Sequence, residues 1–462
     1  MLTTDDILKA TGGELIAPAS KRFSGVSTDT RTVDKGQLFV ALKGDRFDAH
    51  DFLTDAFQRG ASGVVVEKGR AADVVIPAGK AVIAVTDTLR ALQDIAAYHR
   101  RSMEGLVVVG VTGTNGKTTT KEMLASILSV KGPVHKTTGN LNNEIGVPLT
   151  LLGLKKEHWA AVVEMGMSGM GEIARLAEIS APVVGVITNI GPGHLEKLGS
   201  LEGVAKAKGE LIDALPPDGK AALNLDDARL RDMIIRRRDR TVTFGLRPGA
   251  SVTATAIVDT PSGVSFKLTA PGGSVTVTLP VLGAHNVENA LAASAAATAL
   301  GFGVRDIKHG LERFSPAKMR MEVTEVSGAK VINDAYNANP ASMAAALNAL
   351  AAMREYRRVA VLGDMLELGG GAAKAHFEAG RLAGSEDLSL LILMGKNAPD
   401  AARGAVEAGM DERRVFVASN HEEAAGILAD RLRQDDVVLV KGSRGMKMER
   451  VIEALKTRRR VA

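Results

Sequence analysis

The stretch GVTGTNGKTTT, residues 110–120, decides the fold, and it directly follows the apolar run LVVV at residues 106–109. An apolar strand, a glycine-rich turn and a helix that begins near Lys117 form a loop whose backbone N–H groups can surround phosphate oxygens. In the common phosphate-loop pattern a glycine stands where this chain has Val111. A glycine-rich turn that binds no ligand is the alternative interpretation, but Lys-Thr stands where phosphate binding requires it.

Apolar strands alternate with helices on the C-terminal side of this loop. The alternation predicts a parallel sheet that is covered by helices on both faces. Two stretches of period-two alternation, at residues 251–258 and 272–281, then predict added strands before an alanine-rich helix at residues 285–300. The strands of the sheet are predicted at residues 106–111, 160–165, 183–188 and 221–224, and its helices at 117–130, 171–179 and 201–214.

The whole chain is predicted to be an α/β protein of three domains. At 462 residues it is too long for one hydrophobic core, because cores stop growing at roughly 250–300 residues. Residues 1–102 are predicted as a small α/β N-terminal domain, with strands at 37–42 and 63–67 and a helix at 88–101; residues 103–314 as a central P-loop-type parallel sheet with an added β-rich part; and residues 315–462 as a Rossmann-like C-terminal domain. The last domain carries no G-x-G-x-x-G motif, so the sequence does not support NAD binding.

Composition excludes several classes of protein. Apolar residues make up 45% and charged residues 24%, which is typical of a globular protein, whereas 3% aromatic residues is sparse for a protein that stacks on bases. We therefore expect no nucleic-acid binding. The chain has no cysteine, which rules out disulfides, zinc-thiolate sites and a thiol nucleophile.

The charge balance is mildly basic, at +5. The excess includes clusters at residues 236–240 and 457–460, which are either solvated helix ends and a tail or a patch that binds a polyanion. The start, MLTTDDILKA, has acids where a secretory signal carries basic residues, and no apolar stretch approaches the ~20 residues of a membrane span. We therefore expect a cytoplasmic protein without membrane insertion.

Side chains near the predicted strand ends are candidates for phosphate and metal chemistry. Lys117 is predicted to reach the terminal phosphates of a nucleotide, and Thr118 to bind Mg²⁺. Glu164 ends an apolar strand, where it either binds Mg²⁺ in the ligand cleft or caps a helix. His194 follows a Gly-Pro-Gly turn, and a lone histidine in such a loop is also a common surface residue. The loop residues predicted to bind ATP are Gly113, Thr114, Asn115, Gly116, Lys117, Thr118 and Thr119.

Taken together, these segments resemble the Mur ligase family, the ATP-dependent amide ligases that build the peptide stem of bacterial cell-wall precursors. GVTGTNGKTTT matches that family's own phosphate-loop form, which accounts for Val111. The neighbouring branch of the family, which adds the diamino acid as third residue, typically carries Asp-Asn-Pro-Arg in the last domain, and this tetrapeptide does not occur here. The segments at residues 27–52, 137–152, 194–211, 333–343 and 361–369 resemble the branch that joins D-alanyl-D-alanine to UDP-N-acetylmuramoyl-tripeptide.

The resemblance implies transfer of the γ-phosphate of ATP to the tripeptide carboxylate, followed by attack of the D-alanyl-D-alanine amine on the acyl phosphate. It implies two Mg²⁺ ions, one on Thr118 and Glu164 and one that involves His194. Lys208 becomes a candidate N6-carboxylated (carbamylated) metal ligand, preferred over Lys206 because it stands in KGEL, although a salt-bridge or solvent-facing role stays open for both lysines. The catalytic candidates are Lys117, Glu164, His194, Lys208 and Arg320, and the metal ligands are Thr118, Glu164, His194 and Lys208.

The resemblance also distributes the substrates. Asn286 and Asn289 would contact adenine near His285, although from the residues alone they are a helix N-cap region. Arg320 would meet the phosphates and Asp334 would bind ribose. The candidates for the sugar-peptide and its site are Ser27, Thr28, Asp29, Arg31, Arg46, Thr138, Asn140, Asn142, Asn143, Tyr336, Asn337 and Asn339, with Asp48 and His50 as further candidates and Lys441, Ser443 and Arg444 as a site element without an assigned role; polar loops and turns are the alternative for many of them.

We expect a monomer that binds UDP-N-acetylmuramoyl-tripeptide and D-alanyl-D-alanine. An Arg or Lys of the last domain is expected on the carboxylate of the dipeptide, but the sequence does not say which. Because the substrates lie on different domains, we expect the last domain to close about a hinge near residues 313–320. The alternatives are the ligase for the third residue and a phosphate-loop NTPase without ligase activity.

Overall fold

The computed structural model describes residues 2–17, 22–44, 47–193, 195–260 and 263–461. Within them the chain forms three sheets that are wholly or mostly parallel, together with a separate antiparallel sheet of three strands and a short two-stranded ribbon. The prediction of an α/β fold with a central parallel sheet is therefore confirmed. The domain boundaries after residues 102 and 314 stay predictions.

The first sheet has five strands in the order β2-β7-β6-β5-β4, and every neighbouring pair is parallel except β2 with β7. Its central strands read as continuous apolar runs because both faces are buried. The elements of this part are β1 (Leu2–Thr3), α1 (Thr4–Thr11), β2 (Glu14–Ala17), β3 (Arg22–Phe23), β4 (Val26–Ser27), β5 (Leu38–Val40), α2 (Leu53–Gln58), β6 (Gly63–Glu67), β7 (Ala81–Val85) and α3 (Thr88–Arg101).

Helix α3 joins the first part of the chain to the second. Leu92 and Ile95 pack into the core of the first sheet, whereas Ala96 packs into the core under the central sheet. Arg175 of the second part also binds this helix, through Gln93 at 2.8 Å and Asp94 at 2.7 Å. The helix therefore belongs to both cores, which fixes the first part against the second.

The central sheet has six parallel strands in the order β13-β12-β11-β8-β10-β9. Strand β8 lies in the middle, so the loop that follows it meets the ends of β10 and β11 at one edge, which is where α/β sheets bind ligands. The elements are β8 (Val107–Thr112), α4 (Lys117–Leu128), β9 (Val134–Lys136), α5 (Gly146–Leu152), β10 (Ala160–Glu164), α6 (Glu172–Ser180), β11 (Val184–Ile187), α7 (Leu195–Leu198), α8 (Leu201–Asp213), β12 (Lys220–Asn224), α9 (Arg231–Arg236) and β13 (Thr241–Phe244).

The β-rich part is an antiparallel sheet in the order β14-β15-β16, followed by two helices. Helix α10 is almost wholly buried against α4 and the sheet, because its many alanines allow a close approach. The elements are β14 (Thr253–Thr260), β15 (Gly263–Ala270), β16 (Gly273–Leu279), α10 (His285–Ala299) and α11 (Val304–Arg313).

The last sheet has six strands in the order β17-β18-β22-β19-β20-β21, with β17 antiparallel to β18 and the others parallel. Its elements are β17 (Glu322–Val326), β18 (Ala329–Asp334), α12 (Pro340–Ala351), β19 (Arg357–Gly363), α13 (Ala372–Ser385), β20 (Leu390–Met394), α14 (Ala398–Glu407), β21 (Val415–Ala418), α15 (His421–Arg431), β22 (Asp436–Lys441) and α16 (Glu449–Val461). Among the helices that the structure describes, none is both long and apolar enough to cross a membrane.

Candidate active site

The loop between β8 and α4 is tightly enclosed by two other segments. Gly113 and Gly116 have φ angles of +148° and +80°, a region that favours glycine. A Cβ atom on Gly113 would lie 1.8 Å from Thr188 Oγ1, and one on Gly116 would lie 2.0 Å from Asn289 Oδ1. Neither position can therefore carry a side chain without displacing its neighbour.

Gly116→Ala should weaken ADP binding by about tenfold or more, because the clash with Asn289 displaces the turn that begins α4. Gly171→Ala is the matched control, since Gly171 has a φ of +82° but nothing within 4 Å of its Cβ position. Both variants carry the cost of a left-handed alanine, roughly 1–2 kcal/mol, and only Gly116→Ala carries the clash. Calorimetric titration with ADP compares them, and equal losses of affinity would contradict the steric argument.

Side chains and backbone groups after β11 hold the loop from one side. Asn189 accepts the N–H of Thr114 on its carbonyl at 3.0 Å and the N–H of Asn115 on Oδ1 at 2.9 Å. Thr188 Oγ1 donates to the carbonyl of Asn115 at 2.6 Å, and the N–H of Gly191 donates to Thr114 Oγ1 at 2.8 Å. Thr188 and Asn189 are not among the residues predicted for the site, although their position directly after a strand is a signal of the ligand-binding edge.

Lys117 lies folded over the loop. Its Nζ donates to the carbonyls of Gly113 at 2.8 Å and Thr114 at 3.1 Å, and it makes no ion pair within the described residues. Burial lowers its pKa, Glu164 opposes this shift, and the nearby positive charge of Arg320 adds to it. The ammonium group is thus held by backbone carbonyls alone and can turn to an anion above the loop.

Thr118 and Glu164 form a buried oxygen pair at the end of β10. Thr118 Oγ1 donates to Glu164 Oε2 at 2.8 Å, and Asn142 Nδ2 donates to Glu164 Oε1 at 2.9 Å. No helix backbone N–H reaches this carboxylate in the part of the chain that the structure describes, so Glu164 does not cap a helix here. A hydroxyl and a carboxylate oxygen are donors that suit Mg²⁺.

The two lysines of α8 face different surroundings. Lys206 is exposed, whereas Lys208 is 3% exposed. Burial, and then the charge of nearby Lys117, lowers the pKa of Lys208 well below that of an ordinary lysine. Its Nζ has no hydrogen bond or ion pair with any residue that the structure describes. The predicted ligand His194 lies outside the described residues, and within them no group of three or more His, Asp or Glu side chains could hold a metal ion.

Asn286 and Asn289 lie buried in the first turns of α10. Asn289 Nδ2 donates to Asn286 Oδ1 at 3.0 Å, and Asn286 Nδ2 donates to the carbonyl of Leu282 at 2.8 Å. The N-cap of the helix is Ala284, so neither asparagine caps it. The pair instead places Asn289 against Gly116 of the phosphate loop.

Asp334 and Lys441, which end two neighbouring strands of the last sheet, form an ion pair. Asp334 accepts from Lys441 Nζ at 2.5 Å and from the N–H of Met321 at 3.1 Å. Burial lowers the pKa of His285, with smaller and opposite effects from Asp334 and Lys441, so that histidine faces this pair. Ser443 bonds the carbonyl of Ala338 at 3.1 Å, while Arg444 pairs with Glu449 at 2.8 Å.

The last sheet also touches the phosphate loop. Asn339 is the N-cap of α12, where its Oδ1 accepts the N–H of Ser342 at 2.9 Å, and its Nδ2 donates to Asn115 Oδ1 at 2.7 Å. The guanidinium of Arg320 lies over the ring of Tyr336, 4.0 Å from its centroid. Asn337 is exposed and accepts Lys441 Nζ on its carbonyl at 3.0 Å. Asn339 therefore contacts the loop directly, whereas the contact of Arg320 is with Tyr336.

The candidates in the first sheet form local contacts. Ser27 Oγ donates to the carbonyl of Asp29 at 3.1 Å, and Thr28 is half-buried. Asp29 pairs with exposed Arg31 at 2.6 Å, and the hydrogen bonds from that arginine lower the pKa of Asp29 to about 2. Arg46 lies outside the described residues.

Asp48 and His50 have structural partners. The ring of buried His50 binds Asp48 through Nδ1 at 2.6 Å and accepts the N–H of Glu67 on Nε2 at 3.0 Å. Arg70 occupies the other oxygen of Asp48 at 2.9 Å. Both ring nitrogens of His50 are thus used inside the protein, which argues against a role in binding substrate.

The four candidates in the segment between β9 and α5 differ in their exposure and in their partners. Thr138 and Asn140 are exposed at its tip. Asn142 binds Glu164, and Asn143 Oδ1 accepts the N–H of Gly146 at 2.8 Å at the start of α5. Thr138, Asn140 and Asn143 are exposed, whereas Asn142 is half-buried and bound to Glu164.

Comparison with known families identifies three matching regions. A model described as the Mur ligase family catalytic domain matches residues 22–100, one described as the Mur ligase middle domain matches residues 111–297, and one described as the Mur ligase glutamate ligase domain matches residues 319–444. Together these regions span most of the chain and include the phosphate loop.

Individual relatives match over nearly the full length. The UDP-N-acetylmuramoyl-tripeptide--D-alanyl-D-alanine ligase of Bacillus subtilis is 38% identical, with 98% of each chain covered. The crystal structure of MurF from Acinetobacter baumannii superposes with a TM-score of 0.89 at 36% identity, covering 98% of both chains. The MurF ligase of Thermotoga maritima, solved in complex with ADP, has a TM-score of 0.82 at 30% identity and covers 95% of this chain and 98% of that one.

Proposed function

This chain belongs to the Mur ligase family, and from that premise we propose that it joins D-alanyl-D-alanine to UDP-N-acetylmuramoyl-tripeptide with conversion of ATP to ADP and phosphate. The relative from Bacillus subtilis supports this branch rather than the ligase for the third residue. The observation that carries the proposal is the meeting of Lys117, Thr118 and Glu164 at one sheet edge.

The reaction needs two anions to approach each other. The γ-phosphate of ATP moves to the tripeptide carboxylate, ADP leaves, and the amine of D-alanyl-D-alanine then attacks the acyl carbon and expels phosphate with loss of a proton. The charge of Arg320 contributes to the lowered pKa of Lys117, and we propose that both cations neutralise the transferring phosphoryl group. Phosphoryl transfer depends mainly on such positioning and charge.

Thr118 and Glu164 fit a Mg²⁺ ion, since both present oxygen atoms in a buried site beside the phosphate loop. When bound, Mg²⁺ neutralises phosphate charge and orients the nucleotide. Asn142 keeps the carboxylate oriented from the side that Thr118 does not occupy. These residues are proposed as the first metal site.

Lys208 is proposed as a carbamylated ligand of a second Mg²⁺, with His194 as a further ligand. A neutral amine attacks CO₂, the N–C bond forms and the nitrogen loses a proton, which turns a basic side chain into an anionic oxygen donor. Burial favours the neutral amine that this step needs. Among the described residues no hydrogen bond or ion pair competes for Nζ.

The remaining roles are proposals that rest on family and position. Asn286 and Asn289 would contact adenine; Asn289 lies against Gly116 of the phosphate loop. Asp334, at the end of β18, would bind ribose. Ser27, Thr28, Asp29 and Arg31 would bind the UDP-sugar, and Thr138 and Asn140 the sugar-peptide. A cytoplasmic location and a monomeric state stay predictions from the sequence.

Tyr336 should act through Arg320 and not through its hydroxyl. Tyr336→Phe keeps the ring under the guanidinium, so kcat should stay within about twofold of wild type, whereas Tyr336→Ala should lower it about tenfold. Steady-state kinetics of phosphate release measure both variants. A large loss in Tyr336→Phe would instead support the sequence prediction that Tyr336 binds substrate.

The test of the function is phosphate release from ATP by the purified protein with UDP-N-acetylmuramoyl-tripeptide, with and without D-alanyl-D-alanine, while mass spectrometry follows the product. Release that needs both substrates and yields the pentapeptide is the expected result. Phosphate release that does not depend on D-alanyl-D-alanine would indicate an NTPase. Phosphate release that requires the dipeptide precursor and a diamino acid would indicate the neighbouring ligase. Glu164→Gln provides the background rate.

A further inference from the structure

A fully enclosed lysine lies beside the proposed metal site. Lys121 follows Lys117 by one turn of α4, and it is 1% exposed. Its Nζ donates to the carbonyl of Thr137 at 2.6 Å and lies 3.3 Å from Glu122 Oε1 and 3.6 Å from Glu164 Oε2. No step of the proposed reaction uses this charge.

We propose that Lys121 is a positioning residue, which ties Glu164 to the segment 137–143 so that the metal-nucleotide site and the sugar-peptide site form together. The proposal rests on the proposed function, because it takes Glu164 as a metal ligand and this segment as a substrate contact.

The surroundings of Lys121 argue for a role beyond packing. Lysine is almost never fully buried without partners, because removing its charge from water is costly. Neighbouring positions Met123 and Leu124 on the same helix are buried with apolar side chains, so an apolar residue is compatible with this part of α4. The charge is kept where it meets a carboxylate of the active site.

Thr137 is fixed at three atoms. Its N–H donates to the carbonyl of Val162 at 3.1 Å, its Oγ1 accepts the N–H of Glu164 at 3.0 Å, and its carbonyl accepts Lys121. The next residue, Thr138, is already exposed. Lys121 therefore holds the last fixed residue before the exposed tip of the segment.

The other end of the segment returns to the same acid. Asn142 donates to Glu164 Oε1, while Lys121 faces Glu164 Oε2. Glu164 is thus the residue to which both ends of the tip connect. Asn142 binds one carboxylate oxygen, whereas Thr137 binds the backbone N–H of Glu164 through its hydroxyl and reaches the other carboxylate oxygen through Lys121. A shift of the tip on binding the sugar-peptide would move the carboxylate, and a fixed carboxylate would order the tip.

The test compares Lys121→Met with wild type in the ligase assay. We expect the KM values for MgATP and for UDP-N-acetylmuramoyl-tripeptide each to rise about tenfold, while kcat falls less than about threefold, because the groups that handle the phosphate are intact. A purely structural loss would reduce the active fraction, and with it kcat, without raising either KM. KM values within twofold of wild type would overturn the proposal.

Glu122→Gln is the matched control. It removes the nearest carboxylate of Lys121, and with it the ion pair between Glu122 and exposed Lys136, but leaves the contacts of Lys121 with Thr137 and Glu164, so both KM values should stay within about twofold of wild type. If this variant raised the KM values as much as Lys121→Met, the link through Glu164 would be wrong.

Hydrogen exchange in EDTA gives a readout that needs neither metal nor turnover. In Lys121→Met the amides of residues 138–143 should exchange about tenfold faster than in wild type, and those of α16 should not change. Lys121→Gln keeps an N–H donor for the Thr137 carbonyl but has no charge for Glu164. It should protect these amides from exchange while raising the KM for MgATP. It also replaces Lys121→Met if that variant does not fold. Unchanged exchange in Lys121→Met would refute the tether. If wild type makes no pentapeptide, the function fails, but this exchange result still judges the tether.

Discussion

Replacing Lys117 with alanine should lower kcat for pentapeptide formation by about 10³-fold or more. The ammonium group is the one charge that the phosphate loop itself supplies, and in the structure it donates to the carbonyls of Gly113 and Thr114. Its transfer to a phosphate oxygen exchanges two neutral acceptors for a charged one, in a site from which water is largely excluded. Alanine leaves the loop backbone able to bind but removes this charge when it is needed most.

Single-turnover phosphate transfer separates this effect from substrate binding, because it reports the chemical step with all substrates in place. Lys156→Ala is the control, since Lys156 is an exposed lysine that precedes β10 and makes no hydrogen bond or ion pair with any residue that the structure describes. Its rate should match wild type. If Lys117→Ala retained more than about a tenth of the wild-type rate, the γ-phosphate would not lie over this loop and the chemistry would have to be placed elsewhere.

The central domain was predictable because its signals are local. The apolar runs, the glycines and the Lys-Thr pair mark β8, its loop and α4, and the rule that parallel strands bind ligands at their C-terminal ends placed Glu164 correctly at the edge. Strand β15 was missed although Val264, Phe266 and Leu268 alternate as a half-buried strand should. The alternating pattern of β15 is present in the sequence, but only the stretches on either side of it, residues 251–258 and 272–281, were predicted as strands.

Contacts between domains were not predictable in the same way. Asn339 was predicted only as a residue of the substrate site; in the structure it caps α12, and its second bond, to Asn115, depends on how the last sheet is placed against the loop. The same holds for Tyr336 under Arg320. Lys121 was overlooked for another reason. Burial of a lysine within an otherwise ordinary helix leaves no mark in the sequence, because two of its three partners, Thr137 and Glu164, are distant in sequence.

Burial also separates the two lysines of α8. Residues two positions apart lie on roughly opposite faces of a helix, so Lys206 and Lys208 cannot share one environment. Helix α8 is fixed in rotation by Glu210, which accepts the N–H groups of Gly171 at 2.7 Å and Ala174 at 3.0 Å at the start of α6. The resemblance favoured Lys208 over Lys206. The structure adds a physical reason, because the face of α8 that carries Lys208 is turned inwards.

Lys208→Met should therefore lower ligase activity by at least about 100-fold, whereas Lys206→Met, the matched control, should leave it within about twofold of wild type. Methionine fills the same space but cannot react with CO₂. Added bicarbonate should restore no activity to Lys208→Met, and activity of the wild type should fall when CO₂ is removed. Full activity in Lys208→Met would refute the role of this residue.

The same variant should be more stable than wild type. Because burial lowers the pKa of Lys208, the unfolded chain binds a proton at neutral pH more tightly than the folded one, and this difference disfavours folding until the pH rises towards the pKa of an exposed lysine. Methionine removes the penalty, so in EDTA and without CO₂ the Tm of Lys208→Met should exceed that of wild type at pH 7, with the gap closing as the pH rises. A lower Tm at every pH would mean that Lys208 is a structural lysine, kept for a contact and not for chemistry.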